Sequence, residues 1–147
     1  MSGLFSAMDV SASAMTAQRQ RLNLLITNMA NAQTTRTPEG GPYKRKDLVF
    51  ATQPVRPFWE IFAELEGEGV LQGVRVQEIV TDTAPPILRY DPAHPDADAQ
   101  GLVAYPNVKP LEEMANLMSA IRSFEINVRA FQAVKQIVQQ SIELGRA

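Results

Sequence analysis

The sequence predicts an α+β fold in which long N- and C-terminal helices flank a small β-rich middle module. Three observations carry this. The last third, from Pro110 to Gly145, places Met114, Leu117, Ile121, Phe124, Val128, Phe131, Val138 and Ile142 mostly three or four residues apart, with no interior glycine or proline. The first segment repeats that spacing at Leu4, Met8, Ser11, Met15, Gln18, Leu22, Leu25 and Met29. Between them, short alternating runs are broken by glycine, proline and aspartate. The divisions fall at 1–35, an N-terminal helix and Asn-rich turn; 36–109, the β-rich module; and 110–147, the C-terminal helix.

The C-terminal helix has clear ends. Pro110 suits the first helical position, Glu112 and Glu113 lie in the first turn where the helix dipole favours negative charge, and Gly145 stops it. From Leu111 to Leu144 it forms a rod about 51 Å long at 1.5 Å per residue. Such a rod needs a partner of similar length, which the first segment provides.

The other face of that first segment is Ser, Thr, Gln, Asn and Ala, and from residue 1 to 35 only Asp9, Arg19 and Arg21 carry charge. A solvated helix face carries more Lys and Glu. Small, uncharged residues permit close backbone approach, so this face is read as one that meets other helices. A two-helix pair alone is marginal against the entropy of ordering it. The termini are therefore expected to be mobile in an isolated chain and ordered by further helices.

The first helix runs out in Asn28-Met-Ala-Asn31-Ala-Gln-Thr-Thr35, and Arg36-Thr-Pro-Glu-Gly-Gly-Pro42 is turn chemistry. Strands are expected at 43–50, 74–80, 87–90 and 102–105. Residues 58–65 fit neither period and are left unassigned, and Asp91 to Asp98 is a proline-stiffened loop.

Composition narrows the function. The 147 residues, 45% hydrophobic, suffice for one ordinary core, and a net charge of −2 gives no basic field for nucleic acid. The absence of cysteine removes disulfides, thiolate metal sites and a cysteine nucleophile. No apolar run approaches the roughly 20 residues that span a bilayer, and no direct membrane insertion is expected. Arg19 to Ala32 imitates a secretory signal, but its apolar run of about five residues is short of the usual 7–15.

Candidate chemistry is sparse. His94-Pro95-Asp96 matches a co-chaperone tripeptide but lies in a proline-rich loop rather than between helices. Asp96, Asp98 and Gly101 imitate the start of a calcium loop, which fails where Asn107 stands in place of a bidentate glutamate. Lys44-Arg45-Lys46 reads as a solvated or subunit-contacting strand, with alternation sending Arg45 to one face and the lysines to the other. The serines at 6, 11 and 13 have no nearby histidine, and no phosphate-binding glycine loop is present. No catalytic residue, metal ligand or cofactor is expected.

The motifs then converge. Asn28-Met-Ala-Asn31-Ala-Gln-Thr34 is similar to the Asn-x-Ala-Asn-x-x-Thr signature of flagellar rod and hook subunits. Gly41-Pro-Tyr-Lys-Arg-Lys46, Tyr90-Asp-Pro-Ala-His-Pro-Asp-Ala97, Gly101-Leu-Val-Ala-Tyr-Pro-Asn-Val108 and the stretch from Glu112 to Asn127 are more specific. Together they make the chain resemble the bacterial flagellar basal-body rod proteins, in particular the proximal-rod subunits. Lys109 and Leu102 depart from the family pattern, and the Phe58-Trp59 region matches nothing in it.

The resemblance implies a structural subunit exported from the cytoplasm by the flagellar type III apparatus without a cleaved signal, then assembled with copies of itself and homologous rod proteins into the periplasmic rod. It also implies terminal helices paired as an antiparallel coiled coil. The residues expected at subunit assembly are Leu22, Leu25, Asn28, Asn31, Asn116, Ile121, Phe124, Asn127 and Val128. The asparagines would supply buried inter-helix hydrogen bonds and the apolar residues the seam. Removing residues 1–29 is expected to leave a soluble middle module and to abolish incorporation. The alternative is a secreted helical effector or binding protein using the same type III export route, which need not carry the specific motifs.

Overall fold

The computed structural model describes residues 2–54 and 72–145. In chain order its elements are helix α1 (Ser2–Ala30), strands β1 (Lys46–Pro54), β2 (Gln72–Thr81), β3 (Ile87–Tyr90) and β4 (Leu102–Tyr105), and helix α2 (Pro110–Leu144). The unassigned stretch 58–65 lies outside the described residues. The two terminal helices pack together, and the segment between them is a small β-rich module. The expected strand at 43–50 begins only at Lys46, because Tyr43 and Arg45 are used instead to anchor the helices.

Local chemistry explains the helix ends. Lys109 caps α2: its carbonyl accepts the Glu113 N–H at 3.1 Å, Pro110 takes the first helical position, and Lys109 Nζ pairs with Glu112 Oε1 at 2.9 Å. At the far end the Gly145 N–H donates to Ser141 O at 3.2 Å. Helix α1 stops where Asn31 folds back, its backbone N–H and its side-chain Nδ2 both donating to Thr27 O, at 3.1 and 2.9 Å.

The strands form two two-stranded sheets, β1 with β2 and β3 with β4. Strands β3 and β4 are antiparallel, pairing Ile87 with Tyr105, Leu88 with Ala104, Arg89 with Val103 and Tyr90 with Leu102. Alternation gives this hairpin two faces. One carries buried Val103 and half-buried Tyr105, over whose ring the Arg89 guanidinium sits at 5.0 Å. The other leaves Leu88 and Tyr90 largely exposed.

The loop between β3 and β4 is tied by its aspartates. Asp98 accepts the N–H groups of Gln100 and Leu102 on Oδ1, each at 2.8 Å, and the Asp96 carboxylate takes the Thr35 hydroxyl at 2.8 Å and faces Arg36 at 3.9 Å. His94 Nδ1 accepts the Asp96 N–H at 3.1 Å, and its ring meets Tyr105 edge-on at 6.1 Å. The residues that imitated a calcium loop therefore act as turn and loop ties. Gly101 closes the loop with φ of +75°, a conformation that favours glycine.

The chain divides into two compact units. The first comprises Met1–Gln20, Phe50–Gln77 and Ala120–Ala147. Its buried residues among those described are small: Ser6, Ser11, Ala17, Gly73 and Ala120. In it, Ala12, Met15, Thr16 and Arg19 of α1 line one groove with Phe124 of α2. The Ser13 hydroxyl donates to Val10 O at 2.7 Å and accepts the β2 N–H of Val74 at 3.1 Å. The second unit comprises Arg21–Val49 and Glu78–Ser119. Among the described residues it holds the larger buried side chains, Leu25, Asn28, Val103, Pro106, Val108 and Glu113.

Candidate assembly surface and its polar anchor

The second unit is built around one polar cluster. Asn28, in the last turns of α1, is fully buried (0% exposed). Its Nδ2 donates to Lys46 O at 2.8 Å and to Glu113 Oε2 at 3.2 Å, while its Oδ1 accepts the Tyr43 hydroxyl at 2.9 Å and the Lys46 N–H at 3.1 Å. Both donors and both acceptor sites of the amide are thereby used. No other side chain of that length offers two of each at one carbon.

Glu113, in the first turns of α2, is the cluster's charge. It is 1% exposed, and its Oε1 accepts Arg45 Nε at 2.7 Å. A buried carboxylate is tolerated only when paired and hydrogen-bonded, and here each oxygen has a donor. Arg45 also reaches Asp47 Oδ2 at 3.2 Å. Burial alone lowers the Arg45 pKa, but the hydrogen bond and charge of Glu113, aided by Asp47, carry it above its ordinary value. The Tyr43 phenol is likewise held above its ordinary pKa, first by burial and then by the Glu113 charge.

The cluster links three elements, α1 through Asn28, the start of β1 through Lys46, and α2 through Glu113. Lys44 and Lys46 are exposed while Arg45 turns inward, the alternation expected of the basic run. Neither Glu113 nor Arg45 was legible as a partner. Glu113 has the local signature of a dipole-stabilising first-turn residue, and Arg45 that of a solvated strand. The one signal available was Asn28 itself, an amide beside the seam residue Met29.

The nine residues expected at assembly fall into three groups. Leu25 and Asn28 are buried; Leu22, Asn31, Asn116, Phe124, Asn127 and Val128 are half-buried; Ile121 is exposed. Asn28 bonds Glu113 of α2 within the chain. Asn31 instead bonds Thr27 and accepts the Thr34 hydroxyl at 3.2 Å, and Asn127 Nδ2 donates to Ser123 O at 2.7 Å, so these two bind local backbone and turn groups. Along α1 every seam position from Leu4 to Met29 is at least half-buried. Along α2, Leu117, Phe124, Val128, Phe131 and Val138 are half-buried.

What stays uncovered is equally informative. Leu111, Met114, Met118, Ile126, Ile137 and Leu144 of α2 are all about half exposed or more. Apolar surface repeated along a whole helix marks a surface that meets other chains. Among the described residues no group of three or more His, Asp or Glu could hold a metal, and no helix is long and apolar enough to cross a membrane.

This arrangement, two long packed helices with apolar residues left open along one of them and a small β-rich middle, is that of a subunit with a surface for other chains. Residues 99–144 match the family model described as the C-terminal part of the flagellar basal body rod FlgEFG protein. The chain is 39% identical over 148 aligned positions to the flagellar basal-body rod protein FlgC of Borreliella burgdorferi, covering 97% of each chain. It is 41% identical to FlgC of Bacillus subtilis strain 168, covering 97% of this chain and 98% of that one, and 37% identical to FlgC of Escherichia coli O157:H7 with the same coverage. The chain belongs to the FlgC family of flagellar basal-body rod proteins.

Proposed function

We propose that this chain is a structural subunit of the flagellar basal-body rod, self-assembling with its own copies and homologous rod proteins into a helical tube that transmits torque from motor to hook. The observation that carries this is similarity to FlgC across nearly the whole chain at 37–41% identity. The physical complement is the apolar surface left open along α2. Its role is structural rather than catalytic. Heterologous contacts between like subunits need not close into a ring, and unclosed ones generate a helical tube.

At finer grain, α1 and α2 pair as an antiparallel coiled coil, with 1–35 and 110–147 as assembly segments around the middle module 36–109. Leu22, Leu25, Ile121, Phe124 and Val128 supply the seam. Asn28 supplies a polar contact that fixes its register, a role for which isolated amides in apolar seams are suited, while Asn31, Asn116 and Asn127 face contacts with neighbouring subunits. The chain reaches its periplasmic place through the flagellar type III apparatus. Family membership and a charge-poor α1 support this reading.

The test is complementation of a flagellated bacterium lacking its own copy. Because Asn28 anchors the second unit, the informative deletion is residues 2–20 rather than 1–29. The full chain is expected to restore swimming. The deletion is expected to accumulate in the cell without entering the rod. Motile cells carrying the deletion would overturn the assembly role of α1.

A further inference from the structure

Lys44 and Lys46 are exposed, and neither ammonium group has a hydrogen bond or ion pair among the described residues. Together with the turn that starts at Thr37 and with Thr81 they line a groove of about 580 Å³, which lies wholly within the second unit. The turn is fixed by its own bonds. The Thr37 N–H donates to Gly41 O at 2.9 Å, the Gly40 N–H donates to Thr37 O at 3.0 Å, and Gly40 and Gly41 hold φ of +88° and +73°. A wall already in place costs little to order on binding. Glu39 is the one acid of the lining, which therefore carries an excess of positive charge.

The chain has a stretch of complementary charge. From Pro57 to Leu71 it holds Glu60, Glu64, Glu66 and Glu68 and no lysine, arginine or histidine. Residues two apart share a face of any extended backbone, which is the spacing of Lys44 with Lys46 and also of Glu64, Glu66 and Glu68. This stretch, outside the described residues, joins β1 to β2. It leaves after Pro54 and returns at Gln72, whereas Lys46 and Thr81 stand at the opposite ends of those strands. The ten residues of β2 span about 30 Å at 3.3 Å per residue. Glu66 and Glu68 lie within six residues of Gln72, a reach of about 22 Å at full extension. They fall short of the groove on their own chain.

We propose that the groove takes segment 60–68 of a second copy of this chain, its alternate glutamates against Lys44 and Lys46. The inference rests on the reading of the chain as an assembling subunit and gives that assembly a contact outside the helices. It joins two different surfaces of like chains, so it need not close into a ring. Exposed ion pairs are individually weak and screened by salt, and they set partner and register more than affinity.

The chain has no cysteine, so introduced thiols report the contact directly. Thr81→Cys and Glu64→Cys copies of the full-length chain, tagged differently, are mixed at high concentration under mild oxidation. The mixed dimer is expected in about tenfold excess over the like-with-like dimers, an excess that high salt, or Lys44→Glu with Lys46→Glu in the Thr81→Cys copy, removes. A statistical mixture of dimers, or a chain carrying both cysteines that closes only on itself, would overturn the contact. In the complemented bacterium, Lys44→Glu with Lys46→Glu is expected to impair swimming, and adding Glu64→Lys, Glu66→Lys and Glu68→Lys to the same chain is expected to restore it. The Lys46 bonds to Asn28 use only backbone groups, so these substitutions spare the anchor. Selective mixed dimers from a chain that fails to restore swimming would count against the rod role and leave the contact standing. Swimming with a statistical mixture would do the reverse.

Discussion

Asn28 Nδ2 donates to Glu113 Oε2 at 3.2 Å across 85 positions of sequence, joining the end of one terminal helix to the start of the other in a buried setting. The amide is saturated, so truncation leaves several groups without partners at once. Asn28→Ala is expected to lower stability by about 3 kcal/mol, the scale for exposing buried partners to an unmet bond. Asn28→Asp is expected to cost more than Asn28→Ala, because it sets a second carboxylate against Glu113. Urea unfolding of the full-length chain measures both.

Arg45 and Glu113 form the cluster's ion pair, with Glu113 buried and the Arg45 side chain still 22% exposed. Removing the buried charge while keeping the shape leaves Arg45 with only Asp47. Glu113→Gln is expected to cost about 2–3 kcal/mol, below the full penalty for breaking a wholly buried pair because the arginine keeps some solvent. The double substitution Arg45→Met with Glu113→Leu is expected to recover part of that loss, since apolar replacements of both partners need no desolvation. Thermal melting of the three variants distinguishes these outcomes.

The raised Tyr43 pKa has a pH signature. The phenol holds its proton more tightly folded than unfolded, so its contribution is fully present below the unfolded value and is lost as pH rises through the folded one. Stability is therefore expected to fall as pH climbs past about 10, the ordinary tyrosine range. Tyr43→Phe is expected to flatten that fall while lowering neutral-pH stability by about 1 kcal/mol through the lost bond to Asn28. Denaturant midpoints across the alkaline range give the slope.

Gly101 has no room for a side chain. An added Cβ would lie 2.9 Å from Tyr90 Cε2 and 3.2 Å from Pro92 Cβ, on a backbone with φ of +75°. Tyr90 is exposed and can swing aside, but the left-handed backbone cannot be relieved that way. Gly101→Ala is expected to cost about 1–2 kcal/mol from conformational strain. Chemical denaturation of that variant checks it.

The helices and strands were legible because each depends on a local period. Ile87–Tyr90 and Leu102–Tyr105 fall where short strands were expected, and α1 and α2 extend their seams by one to four residues. The anchor was half legible. Asn28 stood out within the Asn-rich helix end, but Glu113 and Arg45 meet across 68 positions, and no local pattern marks which first-turn glutamate will be buried. Tyr43 was read as a strand residue for the same reason: its phenol is committed to a helix that the local sequence does not show. Met114, Ile121 and Ile142 had the spacing of buried residues yet are exposed in the chain. A seam reports that a face is apolar, and says nothing of whether the covering helix belongs to the same molecule.

The central claim is that this exposed face of α2 is covered by neighbouring subunits in a tube. A density map of rods from cells that depend on this chain tests it most directly. The account predicts each copy's α1 and α2 within the wall of the tube, with Met118, Ile126 and Ile137 packed against helices of other subunits. Rods in which those side chains face solvent, or from which the chain is absent, would contradict it.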